Sequence, residues 1–267
     1  MTLPSLDGDH IIPLLVYELS LYAQAKVNGR EGLAFLDSAA TEASLHPDWA
    51  RDLPRAEPIT VRSAFEARTY ETVNATLEFL GVTAPPQRAL VRPAREAMPP
   101  FEAPMVLNAA VMFAAPLVLD FRTLAAYRPD AVANLAWQEV PARRVRQGLW
   151  LLELTAARGP AWALFDTGAG LTVFNAAHLD DLGLDLRPGY RLRVADATDA
   201  AAHQDIVACQ GLSVAGRPLP GDGFVVDLTA VEQALEHRVD LVLGVTTFLH
   251  SGLRWRFEPA TERVWVG

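Results

Sequence analysis

The strongest constraint on this chain is that it repeats itself. Leu33-Ala34-Phe35-Leu36-Asp37-Ser38-Ala39-Ala40-Thr41 is an apolar run ending in an acid and a hydroxyl residue, and Ala163-Leu164-Phe165-Asp166-Thr167-Gly168-Ala169-Gly170 has the same design 129 positions later. The flanks match without gaps. Val27–Arg30 falls over Ala156–Gly159, a turn leading into each apolar run. Ser44–Leu53 falls over Val173–Leu182, and each reads as a short helix, with Pro47 near the first helical position in one copy and Asn175 as N-cap in the other. A second block, Val106–Met112, falls over Val242–Phe248 at a spacing of 136, and its register runs on until Asp120-Phe121 lies over Arg256-Phe257. The second copy therefore holds seven more residues between its blocks (136 against 129). A duplication of this size means two copies of one unit, and 267 residues suit two units of about 120–130 residues each.

The chain between these blocks reads as short strands separated by turns, with no long amphipathic helix, which is an all-β pattern. The first copy opens with strands Leu14–Lys26 and Gly32–Leu36 about an Asn28-Gly29 hairpin turn. A hairpin from Pro58 to Phe79 follows, with its tip at Ala64–Ala67, then strand Gln87–Arg92 and closing strands Leu117–Phe121 and Leu124–Tyr127. The second copy repeats this order: strands Leu149–Ala156 and Ala161–Phe165, helix Ala176–Leu182, strands Tyr190–Ala195 and Gln204–Val214 about a tip at Asp196–Ala201, and a closing hairpin Gly252–Val266. Arg128–Arg146 fits neither copy and carries the cluster Arg143-Arg144-Val145-Arg146, so it reads as a linker. The units are then residues 1–128 and 147–267, with 129–146 between them.

Charge and cysteine content narrow the function. A formal net charge of −9 argues against a nucleic-acid or anionic-membrane partner, each of which demands a basic face. The single Cys209 leaves no intrachain disulfide and no cysteine metal cluster. His46, His178, His203, His237 and His250 lack metal-ligand spacing, so neither metal nor cofactor is expected. Ser38, Ser44 and Ser63 lack the Gly-x-Ser-x-Gly context of a serine hydrolase. Met1–His10 lacks the basic and apolar segments of a signal peptide, and no apolar run approaches the roughly 18 residues of a spanning helix. The expectation is a soluble, cytoplasmic protein.

An aspartate at the end of an apolar strand is costly, because desolvating its charge is unfavourable unless hydrogen bonds or a shared proton offset it. Asp-Thr-Gly also occurs in ordinary strand-turn connections, where the glycine takes a positive φ, and near phosphates; if this loop position needs a positive φ, Ala39 in the first copy costs about 1 kcal/mol, and if not, little. What sets this chain apart is that the costly acid occurs twice.

The two acidic loops resemble the active-site loop of aspartic proteases, the pepsin and retropepsin group, whose motif reads hydrophobic-hydrophobic-Asp-Thr/Ser-Gly-Ala/Ser/Thr. Leu243-Gly244 resembles the segment that packs behind that loop. The resemblance covers residues 14–128 and 147–267. It implies a two-lobed double barrel with pseudo-twofold symmetry, a cleft between the lobes, and Asp37 and Asp166 as the catalytic pair. Ser38 and Thr167 would lock the loops through their hydroxyls, while Ala39 and Gly168 turn amides toward the carboxylates. The two hairpins would be flaps, with Ser63, Phe65, Tyr70, Ala197 and Thr198 contacting a peptide or protein substrate. Both acids lie in one chain, so a monomer suffices. The chain departs from the family at Ala39, where the motif has glycine, at Asn108, which stands over Gly244, and at both flap tips, which lack glycine. The rival reading is a catalytically inactive module that binds an extended peptide or a partner protein.

Overall fold

A computed structural model describes residues 11–62, 67–92, 102–131, 135–195 and 201–267. The protein is all-β: 54% of it is strand, and among the described residues no helix exceeds seven residues. None of those helices is long and apolar enough to cross a membrane.

Two curled ten-stranded sheets carry the duplicated sequence, and their strand orders correspond position by position. The first runs Arg55–Arg62, Ala67–Ala75, Gln87–Val91, Ala43–Leu45, Met105–Leu107, Arg30–Leu36, Ser20–Val27, Leu77–Phe79, Val82–Thr83, with Leu15–Tyr17 paired to Ser20–Val27 as its tenth strand. The second runs Asp185–Ala195, Ala201–Gln210, Gly221–Val226, Thr172–Asn175, Leu241–Leu243, Gly159–Phe165, Trp150–Ala156, Ser213–Val214, Arg217–Pro218, with Ala142–Arg144 paired to Trp150–Ala156 as its tenth strand. The register repeats as well. Arg30–Leu36 lies parallel to Met105–Leu107 with Leu36 opposite Leu107, and Gly159–Phe165 lies parallel to Leu241–Leu243 with Phe165 opposite Leu243. The ends of these strands next to the acids, Ala34–Leu36 and Ala163–Phe165, are buried at every residue and so on both faces, which is why each reads as a continuous hydrophobic run.

A third, six-stranded sheet ties the copies together. Ile11–Pro13, Ala125–Tyr127 and Leu117–Asp120 pair onward to Arg254–Glu258, Arg263–Val266 and Gln138–Val140. Its central pairing sets Leu117 opposite Phe257 and Asp120 opposite Arg254. Against this sheet lies a buried aromatic cluster drawn from both copies. Phe113 meets Phe257 at 4.8 Å between ring centroids, Phe121 meets Phe248 at 4.9 Å, and Phe165, the residue before Asp166, meets Phe248 at 4.4 Å.

Three local expectations change. Leu14–Lys26 is not one strand: Leu15–Tyr17 and Ser20–Val27 form a hairpin whose tip, Glu18-Leu19, has φ of 47° and 59°. In the second copy the helix begins late, at Leu179, with His178 at its N-cap. Asn175 instead accepts from Ala177 N and Leu228 N and donates to the Val239 carbonyl, joining three segments. The segment read as a linker contains strands Gln138–Val140 and Ala142–Arg144, paired to Arg263–Val266 and to Trp150–Ala156.

Where the copies join, Asp120 accepts from Arg254 Nε at 2.8 Å and from the backbone of Arg122 and Thr123. Burial alone would raise its carboxyl pKa, but the bonds from Arg254 and Thr123 outweigh it and hold the group below the ordinary carboxylate value. A depressed folded pKa stabilises the fold above the unfolded value, near 4, and that stability is lost as pH falls through the folded value. Asp120→Ala leaves Arg254 unpaired and is expected to cost about 3–5 kcal/mol at neutral pH. Urea unfolding across a pH series measures this, with the difference from wild type shrinking as pH drops below about 4.

Candidate active site

Each acidic loop is pinned at both ends by the second repeat block. Asp37 N donates to the Leu107 carbonyl at 3.0 Å and Asp166 N to the Leu243 carbonyl at 3.1 Å. Beyond the acids, Ala109 N donates to Ala40 O at 3.2 Å and Val245 N to Ala169 O at 2.8 Å. These four bonds place the two loops in the same way on their two sheets.

The loops then grip each other. Ser38 N donates to Thr167 Oγ1 at 3.0 Å, and Thr167 N donates to Ser38 Oγ at 2.9 Å. The hydroxyls pass their own protons outward, Ser38 Oγ to the Phe165 carbonyl at 2.9 Å and Thr167 Oγ1 to the Leu36 carbonyl at 2.8 Å. Ser38 and Thr167 are fully buried, so every one of these groups would be unsatisfied without the other loop.

This lock sets Asp37 and Asp166, both half-buried, within hydrogen-bonding reach of each other. Asp37 Oδ1 accepts from Ala39 N at 3.2 Å and Ala40 N at 2.8 Å, and Asp166 Oδ1 accepts from Gly168 N at 2.7 Å. Burial and, after it, the Asp37 charge push the Asp166 carboxyl well above the ordinary carboxylate range, against the opposing pull of the Gly168 and Ala169 amides. Two carboxyls in this relation hold a proton between them and titrate as a unit.

Neither Gly168 nor Ala39 has a positive φ. The glycine is required by proximity: a Cβ at Gly168 would sit 2.4 Å from Asp37 Cγ. Ala39 carries no backbone strain and its amide still serves Asp37. Asn108 has nearly the backbone of Gly244, with φ and ψ of −88° and 175° against −102° and 172°. Its Nδ2 donates to the Thr41 carbonyl at 2.9 Å, replacing the bond from Thr246 N to Gly170 O at 3.1 Å in the other copy.

Of the sequence-derived site residues, Asp37, Ser38, Ala39, Asp166, Thr167 and Gly168 come together at this seam. Tyr70 lies buried on Ala67–Ala75 between Arg68 and Arg92, and its hydroxyl has no hydrogen-bond partner among the described residues. Ser63, Phe65, Ala197 and Thr198 lie outside the described residues. Sequence reasoning missed Leu19, whose Cβ would lie 3.0 Å from a Cβ at Gly170, so the first copy's hairpin tip rests on the second copy's loop. The spacing of 129 sets Leu19 over Gly148, and the backbone is left-handed at both, with φ of 59° and 83°, but nothing at Leu19 itself marks a turn. Among the described residues no group of three His, Cys, Asp or Glu is placed to hold a metal.

No protein-family model matches the chain, and no curated protein matches it.

Removing one hydroxyl of the lock should cost about 1–3 kcal/mol, because the opposite amide is left buried and unpaired. Ser38→Ala, Thr167→Val and the double variant, compared by urea unfolding, should show strong coupling; additive losses would mean that the four bonds do not act together. Asp166→Asn should act in the opposite sense. A carboxyl whose folded pKa is raised destabilises the fold once pH exceeds its unfolded value, so the variant should melt above wild type at neutral pH and match it below about pH 4.

Proposed function

We propose that this protein is an aspartic-type endopeptidase, and the observation that carries the proposal is the mutual reach of Asp37 and Asp166 across the Ser38–Thr167 lock. The matched strand orders support a two-lobed, pseudo-twofold double barrel with the acids in a cleft between lobes 1–128 and 147–267. The central pairing supports the dyad too: Val118 faces Arg256 and Asp120 faces Arg254, and the spacing of 136 exchanges one pair with the other.

In this reading the pair carries one proton. The ionised member takes a proton from a water lodged between the carboxyls, and the water oxygen attacks the peptide carbonyl carbon. The protonated member donates to the carbonyl oxygen. As the tetrahedral intermediate collapses, the C–N bond breaks and a proton passes to the leaving nitrogen. The Gly168 amide on Asp166 and the Ala39 and Ala40 amides on Asp37 favour the charged form and hold each carboxyl in place. The substrate lies extended, paired by its backbone to strand edges. Both acids come from one chain, so the monomer is the active species.

A mixed peptide library incubated across an acid-to-neutral pH series tests this. Cleavage should follow a bell-shaped profile, falling where the pair is doubly protonated and again where it loses its last proton. Asp37→Asn and Asp166→Asn should each lower the rate on the order of 10²–10⁴-fold. Cleavage that survives either substitution contradicts the proposal, and absence of cleavage at every pH points to a module that binds an extended peptide.

A further inference from the structure

The two copies differ most sharply beside their acidic loops. Five residues after Asp166, Leu171 packs with Ile206 and Phe224 in a small apolar cluster separate from the main core, edged by half-buried Leu19 and Val173. Thr172 is opposite Gly223 and Val173 opposite Phe224, while in the first copy Ala43 is opposite Ala89 and Ser44 opposite Leu90. The same register sets Glu42 in the place of Leu171, Ser44 in the place of Val173 and Leu90 in the place of Phe224. Thr72, opposite Leu90, stands in the place of Ile206. The apolar knob Leu19 has Gly148 as its counterpart, with no side chain at all. Three of the four lining positions have thus turned polar, and the residue reaching over from the other copy has shrunk to glycine.

Glu42 is half-buried and makes no hydrogen bond among the described residues; burial pushes its carboxyl up and the exposed Arg88 pulls it down. An acid in such a place is costly to ionise unless a cation arrives to meet it.

We infer that the surfaces flanking the aspartate pair select opposite chemistries, a large apolar side chain against Leu19, Leu171 and Phe224, and a basic side chain against Glu42. The substrate is then an extended peptide with an apolar residue on one side of the central bond and lysine or arginine on the other. Leu19 and Glu42 are its specificity-determining residues. The inference rests on the proposed peptide-binding geometry, but not on turnover.

The test uses peptides identical except at the two central positions: apolar–basic, apolar–apolar, apolar–neutral polar and apolar–acidic. Each is assayed as a substrate by kcat/KM and, with a reduced central bond, as a ligand by fluorescence polarisation. Wild type should prefer apolar–basic over apolar–acidic by about tenfold or more, the worth of one charge-assisted hydrogen bond. Glu42→Gln should remove most of that preference, lowering kcat/KM and affinity for the apolar–basic peptide far more than for the apolar–neutral one, and Glu42→Leu should shift it toward apolar–apolar. Leu19→Gly should relax the apolar position alone. An unchanged ranking in Glu42→Gln, or an acidic peptide bound best, overturns the inference. Peptides bound in the expected order but never cut would sink the peptidase reading and leave this one standing. Peptides cut without that order would do the reverse, and failure of every peptide both to bind and to be cut overturns both.

Discussion

The arrangement depends on four hydrogen bonds across the seam between the copies, two that Ser38 and Thr167 exchange and two that their hydroxyls donate to the Phe165 and Leu36 carbonyls. Ser38 and Thr167 are fully buried, and each satisfies an amide and a carbonyl of the opposite strand-loop unit. Neither loop can fulfil its polar groups alone, so the lock forms only when both are in place. What the lock holds is unfavourable in itself: two acids close together, one of them pushed well above its ordinary pKa by burial and by the other. The rest of the molecule supplies the stability that keeps this pair together. The shared six-stranded sheet, the Asp120–Arg254 pair and the aromatic cluster around Phe165 and Phe248 lie against the same seam.

Duplication explains both the likeness of the copies and the freedom with which they diverge. Once the backbone bonds pinning each loop were met twice, positions nearby could change provided the polar accounting still closed. Asn108 shows how. A side chain at Gly244 would run into the Leu171 backbone, yet Asn108 fits at the same φ and ψ and takes over a loop hydrogen bond with its own amide. Glu42 and Leu171 mark the same freedom used differently, changing what the neighbouring surface can accept while leaving the loop intact.

Much of this was legible in the sequence because the informative residues sit where strand meets loop. The apolar run into Asp37-Ser38 and its echo at Asp166-Thr167 revealed the acids, the hydroxyl lock and the repeat together. What was not legible depends on residues brought from elsewhere. Glu18-Leu19 has no turn chemistry of its own, and the left-handed tip is held by packing against Gly170. Gln138–Val140 and Ala142–Arg144 are too short for a periodic pattern and are strands by virtue of their partners. Gly168 reads as a conformational glycine in isolation; its need for a bare Cα is visible only with Asp37 lying over it. The spacing of 129 sets Glu42 over Leu171, but that difference acquires meaning only with Leu19, Ile206 and Phe224 around the leucine.

If Asp37 and Asp166 share a proton, site-resolved carbon NMR of the aspartate carboxyls across a pH titration should show it. Both signals should respond together in two well-separated steps, the second far above the ordinary carboxylate range, and Asp37→Asn should leave a single step at Asp166. Two independent single-step curves near pH 4, the value of an isolated carboxyl, would contradict a shared proton.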